Sequence, residues 1–235
     1  MSLRAVGVLA ISMNCVHAWG QFVISAKSGL INHVEGLVLL SGEPIVSKSG
    51  AHRQMKDGSD LHAEDGRAEV LLNPGVFLRV GEHSTVRMVS NNLADTRIEF
   101  VAGAAVIEPG GRLNGKENWA SSVSIAYRET IVRLRKNGIY RFDAEPAQLR
   151  VYAGEATVDR GSGTQLVGAG GSIALANPGP VQGFDVKAID SLGLWSKRRT
   201  AYILMAREAA IRRKKASEAS QSGVWPRPQI PIISH

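Results

Sequence analysis

Six histidines are the first residues whose chemistry could include metal binding or proton transfer. Five of them follow residue 20, at His33, His52, His62, His83 and His235. None has a second histidine four residues away, the spacing that places two imidazoles on one helix face for zinc. His83 lies in a predicted turn, where a solvated side chain is the simpler interpretation. We therefore expect no histidine metal site.

Acidic and glycine-rich turns are the next candidates, and each lacks part of the pattern it would need. Asp57-Gly58-Ser59-Asp60 and Glu64-Asp65-Gly66 could offer oxygen ligands to Ca²⁺, but the spacing and terminal glutamate of an EF-hand loop are missing. The glycines of 168–171 are not followed by the Lys-Ser/Thr of a phosphate-binding loop. No G-x-S-x-G elbow stands between a strand and a helix. These patterns predict a protein that is not an enzyme and binds no cofactor.

Positive charge is concentrated near the carboxyl end of the chain. The formal net charge is +7, and the segment from Asp190 onward contains nine Lys and Arg against three acids. With Arg4 set aside, the remaining body is neutral overall. Eight cations of this segment are predicted to lie on the outer face of a helix over 188–217 and to contact an anionic partner. They are Lys197, Arg198, Arg199, Arg207, Arg212, Arg213, Lys214 and Lys215. A merely solvated helix face is the alternative interpretation.

The same helix has a predicted inner face. Asp190 is a plausible N-cap, and apolar residues then recur at steps of three and four. Leu192, Trp195 and Tyr202 are predicted to anchor the helix on the preceding domain. After the helix, residues 218–235 contain three prolines and are predicted to form an extended tail.

The chain begins with the layout of a secretory signal peptide over residues 1–20. Arg4 precedes a short apolar run, and Ala18-Trp19-Gly20 ends it with a small-x-small pattern. An uncleaved anchor or a buried strand is the alternative. Cleavage would remove Cys15, the one cysteine, and we expect the product to be periplasmic or secreted.

Between these ends, residues 29–187 read as short strands separated by turns. Turn signals such as Asp65-Gly66, Asn73-Pro74-Gly75 and Lys136-Asn137-Gly138 recur every 8–12 residues, which is typical of an all-β sandwich or roll. The stretch 71–108 aligns with 125–159, so we predict an internal duplication. Gly36, Gly103 and Gly154 each follow a similar strand pattern and are predicted to occupy equivalent positions. The predicted fold class is mainly β, a sandwich or roll of short antiparallel strands with internal duplication, followed by one long basic amphipathic helix.

The strand and turn residues also carry a resemblance. Asp65 to Gly75, then Leu78-Arg79-Val80-Gly81 and Ser84-Thr85-Val86, resembles the core of the FecR-type periplasmic domain. The resemblance extends over 34–175, and residues 184–199 resemble the Asp-x-Leu-x-x-Trp-x-x-x-Arg helix start that follows it. The best-known members of that family relay iron-siderophore uptake from an outer-membrane receptor to a sigma factor. We expect this chain to have no counterpart of their cytoplasmic anti-sigma region, and it resembles more the exported, stand-alone members.

The leading functional hypothesis is an exported, non-catalytic interaction or scaffold module of the cell envelope. Its expected partner is an envelope protein or an anionic envelope surface, and not nucleic acid. A sensor or regulatory component of a transmembrane signalling system of the iron-uptake type is the second hypothesis. An envelope hydrolase is a third.

Overall fold

A computed structural model describes residues 28–45, 53–109, 119–161, 163–177 and 179–221. The predicted signal peptide, His52, His235 and the tail after residue 221 lie outside these ranges. The described part is mainly β, as predicted, and it ends in one long helix.

Fifteen strands, one 3₁₀ turn and one α-helix make up the described chain. The first group of strands is β1 (Leu30–Leu40), β2 (Glu43–Pro44), β3 (Asp60–Asn73), β4 (Val76–Val80), β5 (Ser84–Asn92), β6 (Asp95–Ala102) and β7 (Ala104–Pro109). The 3₁₀ turn (Trp119–Ser122) follows, and then come β8 (Val123–Tyr127), β9 (Thr130–Leu134), β10 (Ile139–Ala144), β11 (Ala147–Ala153) and β12 (Glu155–Asp159). The last elements are β13 (Thr164–Gly168), β14 (Gly171–Ala174), β15 (Gln182–Gly183) and α1 (Ser191–Gln221).

All strands belong to one sheet that curls into two facing layers. The order of hydrogen-bonded neighbours is β13-β12-β9-β8-β6-β5-β3-β4-β7-β10-β11-β14-β15, with β1 beside β3 and β2 beside β1. Strands β13 and β14 stand near opposite ends of this order, yet only residues 169–170 separate them in sequence. The sheet must therefore fold back on itself. One continuous apolar core fills the space between the layers, with Phe100, Tyr140 and Phe142 among its largest members.

The predicted duplication is visible in the strand pairing. In the first copy β3 pairs with β4, β4 with β7, and β5 with β6. In the second copy β8 pairs with β9, β9 with β12, and β10 with β11. Five consecutive strands therefore repeat the same pairing pattern, offset along the chain. Each copy contributes strands to both layers, so neither copy forms a closed unit by itself.

Glycine marks the corners where the chain passes from one layer to the other. Gly103 joins β6 to β7, and Gly154 joins β11 to β12, with φ angles of +78° and +92°. A Cβ at Gly103 would stand 2.2 Å from the Ser84 hydroxyl oxygen, and one at Gly154 would stand 2.3 Å from the Tyr140 hydroxyl oxygen. Gly36, the third predicted equivalent, also has a positive φ of +69°, but it lies inside β1 and not between two strands. These corners need glycine because the backbone is left-handed and another chain segment approaches closely.

One turn prediction differs from the structure. Asp65-Gly66 does not form a turn, because β3 runs straight through it and changes partners instead. Its first residues pair with β5, and its last residues pair with β4. The Asp-Gly signal is read from neighbouring residues alone, whereas the strands that pair with β3 are decided by the tertiary fold.

Helix α1 begins after Asp190, as the capping pattern predicts. The Asp190 carboxylate accepts a hydrogen bond of 2.8 Å from the Gly193 backbone N–H, and its carbonyl accepts the first helical bond from Leu194 N–H. The helix is 31 residues long and spans Ser191–Gln221, so it begins three residues later and ends four residues later than the predicted 188–217. Its buried residues are confined to the beginning, and every residue from 204 to 220 is exposed. The predicted amphipathic packing therefore holds only for about the first three turns.

Candidate functional site: the helix-docking face

A row of outward-facing side chains crosses the layer beneath the helix. Glu69 on β3 stands opposite Arg79 on β4, and Arg79 stands opposite Val106 on β7. The row continues to Arg141 on β10 and Arg150 on β11. Side chains on a strand alternate between faces, so Leu78 and Val80 enter the core while Arg79 points away from it. We call these five residues the helix-docking face.

A buried ionic network joins one end of this face to the helix. Arg79 and Glu69 have fully buried side chains, and Arg79 Nε donates to Glu69 Oε2 at 2.9 Å. Arg79 also donates to Glu108 of β7 and, at 2.8 Å, to the Ser196 hydroxyl of the helix. Arg199 of the helix donates to Glu69 Oε1 at 2.9 Å. Two cations and two carboxylates thus neutralise one another where the helix meets the sheet.

The electrostatics of Glu69 show that this network favours the charged form. Burial alone would raise the pKa of its carboxyl, but hydrogen bonds from Arg199 and Asn32 and the charge of Arg79 outweigh burial and lower that pKa below its usual value. Removing one member of such a buried group costs about 3–5 kcal/mol, because it leaves an uncompensated charge. The network therefore fixes where the helix sits more than it adds net stability.

A second ionic network holds the first residue before the helix. Arg141 Nε donates to Asp143 Oδ1 at 2.8 Å, and its Nη2 lies 2.7 Å from Asp190 Oδ2. Arg150 donates to the other Asp143 oxygen at 2.8 Å. Burial would raise the pKa of Asp190, but the Gly193 N–H and the charge of Arg141 lower it. The helix cap is thus tied directly to β10 and, through Asp143, indirectly to β11.

Apolar contact completes the docking, with two of the three predicted anchors. Leu192 and Trp195 are buried and pack against Val106 in a small cluster separate from the main core. Tyr202, the third predicted anchor, is 62% exposed. Its ring instead lies 5.2 Å from the Arg199 guanidinium carbon. Tyr202 misses the domain because the docked face runs through Ser196, Arg199 and Ile203, and Tyr202 lies to one side of it.

The predicted cationic contact residues separate into two groups. Arg199 is not on the outer face, since its side chain is 13% exposed and paired with Glu69. The other seven are exposed: Lys197, Arg198, Arg207, Arg212, Arg213, Lys214 and Lys215. Five of these belong to residues 204–220, which we call the distal helix. Arg212 pairs with Glu208 and Lys214 with Glu218 at the i, i+4 spacing, and these four side chains are 63–80% exposed.

A cavity of ≈ 250 Å³ opens where the helix base meets the sheet. Its walls come from β7, β10 and β11, from the segment before the helix, and from the first helical turns. We call it the helix-base cavity. Its lining residues are Val106, Glu108, Ile139, Arg141, Tyr152, Val186, Ile189, Asp190, Gly193, Ser196 and Lys197.

The described ranges also bear on metal binding and on membrane insertion. Those residues contain no group of three or more His, Cys, Asp or Glu that could hold a metal ion. His62 hydrogen-bonds the Thr85 hydroxyl at 2.8 Å, and His33 lies 3.0 Å from Glu35. His83 lies 3.8 Å from Asp65 and is largely exposed, in the predicted turn. No described helix combines the length and apolar character that crossing a bilayer would require.

Sequence reasoning missed the strand half of the docking site. Arg79 and Arg141 each sit between apolar neighbours that face the core, at Leu78-Arg79-Val80 and Tyr140-Arg141-Phe142. Alternation correctly places them outside, but an outward arginine on a strand is normally solvated. The available signal was the recurrence of charged residues on several strands together with an arginine and a serine on the inner side of the helix. These residues are brought into one row only by the register between strands that lie far apart in the sequence, such as β4 and β7.

Comparisons with known proteins add two solved structures. No family model and no curated protein matches the chain. Two crystal structures of a "putative anti-sigma factor" from Parabacteroides distasonis are similar in fold, at 13% and 12% sequence identity and a TM-score of 0.43 in each case. Each alignment covers 55% of this chain and 61% of the neighbour, so the chain spans less than two thirds of the length of those proteins.

Proposed function

We propose that this protein is an exported, non-catalytic binding module of the cell envelope, and that its distal helix contacts an anionic surface. One observation carries the proposal. The helix base is fixed by two ionic networks and an apolar cluster, while residues 204–220 are all exposed and carry five cations against two acids. The FecR-like sequence pattern supports the envelope location.

The geometry favours peripheral, electrostatic contact over insertion into a bilayer. A helix that lies in the membrane interface needs one continuous apolar face. The exposed large apolar residues of this part of the helix are Leu204, Met205 and Ile211. Leu204 and Ile211 share one side of the helix at the i, i+7 spacing, but Met205 lies about 100° away and no large apolar residue extends that side from 212 to 220, so no continuous stripe forms. Clustered cations near an anionic surface contribute about 1 kcal/mol each. Contact through the distal helix should therefore be strong at low salt and weak at high salt.

The proposal is tested with vesicles that contain anionic phospholipid. Replacing Arg212, Arg213, Lys214 and Lys215 with Gln removes four charges and keeps helix-forming residues. We expect binding to fall at least about 100-fold, since four cations at about 1 kcal/mol each contribute that much or more. Binding of the natural chain should also weaken steeply as salt is raised.

A matched control removes the same charge from the β domain. Lys56, Arg97, Arg133 and Lys136 are exposed, and their replacement by Gln leaves the same net charge as the helix variant. This control should retain vesicle binding. Equal losses in the two variants would mean that net charge alone drives binding, and unchanged binding in the helix variant would contradict the proposal. Failure on vesicles with retained binding to an acidic envelope protein would assign the same surface to a protein partner.

A sensor or regulatory role is the second candidate, and the helix-base cavity favours it. The cavity is lined by residues of the first helical turns and by Glu108, which also accepts a hydrogen bond from Thr200. A molecule bound there would touch the contacts that hold the helix. A gene for a sigma factor or a TonB-type receptor beside that of this protein would favour this candidate.

A further inference from the structure

The helix-base cavity is slightly smaller than a typical small-molecule site. Its volume of ≈ 250 Å³ lies just below the range for ligand pockets, about 300–1,000 Å³. At roughly 30 Å³ for each water-sized group, it holds about eight such groups. An occupant would therefore be a compact molecule with a short chain or a single ring.

The walls of the cavity favour an apolar body. Val106 and Ile139 contribute an apolar surface from β7 and β10, and Ile189 and Val186 contribute one from the segment before the helix. Val186 is 43% exposed, although it is a large apolar residue. Covering these side chains would remove apolar surface from water, which is the main source of affinity in such pockets.

The charged groups at the cavity are already paired, with one exception. Glu108 is engaged by Arg79 and Thr200, and Arg141 is engaged by Asp143 and Asp190. Lys197 also lines the cavity, is exposed, and makes no ion pair with a described residue. The side chain that can still accept a charged partner is therefore a cation beside an apolar pocket.

We propose that the helix-base cavity binds a small amphipathic carboxylate, with its apolar body against Val106, Ile139 and Ile189 and its carboxylate on the Lys197 ammonium. The chemistry follows from the walls and from Lys197, the one charged lining residue that makes no ion pair with a described residue. A cationic ligand would meet Lys197 without a free carboxylate to offset it, because Glu108 and Asp190 are both committed to arginines. The site is distinct from the distal helix and does not depend on its binding to an anionic surface.

Octanoate is the probe, and 1-octanol is the matched neutral molecule. Titration of the chain is followed by two-dimensional NMR and calorimetry. We expect octanoate to bind saturably below its micelle concentration, with shifts centred on residues 186–197 and on β7 and β10. Octanol should bind at least tenfold more weakly. Lys197→Met keeps the apolar stem of the side chain and should weaken octanoate at least tenfold while leaving octanol unchanged.

Lys56→Met is the control, since Lys56 is an exposed cation on the β domain that does not line the cavity. It should bind octanoate like the natural chain. Because Lys197 is exposed, its replacement should leave the fold intact, and circular dichroism checks this. Equal octanoate affinity in Lys197→Met and the natural chain would overturn the proposal. So would the absence of saturable binding, or shifts centred away from the helix base.

Discussion

Arg79 connects three separate parts of the chain through one guanidinium group. It lies on β4, pairs with Glu69 of β3 and Glu108 of β7, and also reaches Ser196 of the helix. Its side chain is fully buried, so each of these partners replaces water that the charge would otherwise hold. The network around Arg79 fixes the position of the helix more than it adds net stability, because the cost of desolvating the charges offsets much of the attraction between them.

Glu69 gives this network a measurable pH dependence. Its pKa in the folded chain is lower than its usual value, so the network contributes stability above the unfolded pKa of about 4.3. That contribution is lost as the pH falls from there toward the folded pKa. We expect Glu69→Gln to lower the free energy of unfolding by about 3–5 kcal/mol at neutral pH. The gap to the natural chain should narrow as the pH falls below about 4.3.

Urea unfolding at a series of pH values measures this gap. Glu82→Gln is the control, because Glu82 pairs with Arg67 at a half-exposed site and should change stability by at most about 1 kcal/mol. A gap for Glu69→Gln that stays constant across the acidic range would show that Glu69 does not act through its charge.

At the scale of elements, the corner at Gly103 decides how β6 continues into β7 in the other layer. Gly103→Ala should destabilise the fold for two reasons: the φ of +78° disfavours a side chain, and the new Cβ would stand 2.2 Å from the Ser84 hydroxyl oxygen. Gly161 has the same φ of +78°, but a Cβ there would meet nothing within 4 Å. Gly161→Ala therefore isolates the backbone cost.

We expect Gly161→Ala to cost about 1–2 kcal/mol, the usual penalty for a left-handed alanine. Gly103→Ala should cost at least about 2 kcal/mol more, because the clash forces Ser84 and its strand to move. Thermal and denaturant unfolding compare the two variants directly. Similar losses would mean that the corner has room to adjust, contrary to the close approach described above.

The elements also show how far sequence reasoning reaches. Turn residues and apolar alternation predicted the β class, the duplication, and the cap at Asp190, because these depend on neighbours along the chain. The predictions that Tyr202 anchors the helix and that Arg199 lies on its outer face were wrong, because both depend on which side of the helix meets the sheet. The docked side of the helix is determined by Glu69, Arg79 and Glu108, which lie on three different strands. The register of those strands brings the three residues together.

At the scale of the whole molecule, the helix has two parts with different sources of stability. The base is held by Leu192, Trp195 and the two ionic networks. The distal helix rests on good helix formers and on the i, i+4 pairs of Arg212 with Glu208 and Lys214 with Glu218. An exposed segment of this length is only marginally helical in water by itself. The distal helix should therefore unfold locally much more often than the helix base.

The central claim is that the base of α1 is docked on the sheet and that the distal helix contacts an anionic surface. Hydrogen–deuterium exchange along α1, measured with and without anionic vesicles, tests this claim most directly. In the free protein, amides of residues 195–203 should exchange slowly and those of residues 204–220 much faster. Adding vesicles should slow exchange at 204–220 and leave the β domain unchanged. Equally fast exchange over the whole helix, or vesicle protection confined to the β domain, would contradict the account.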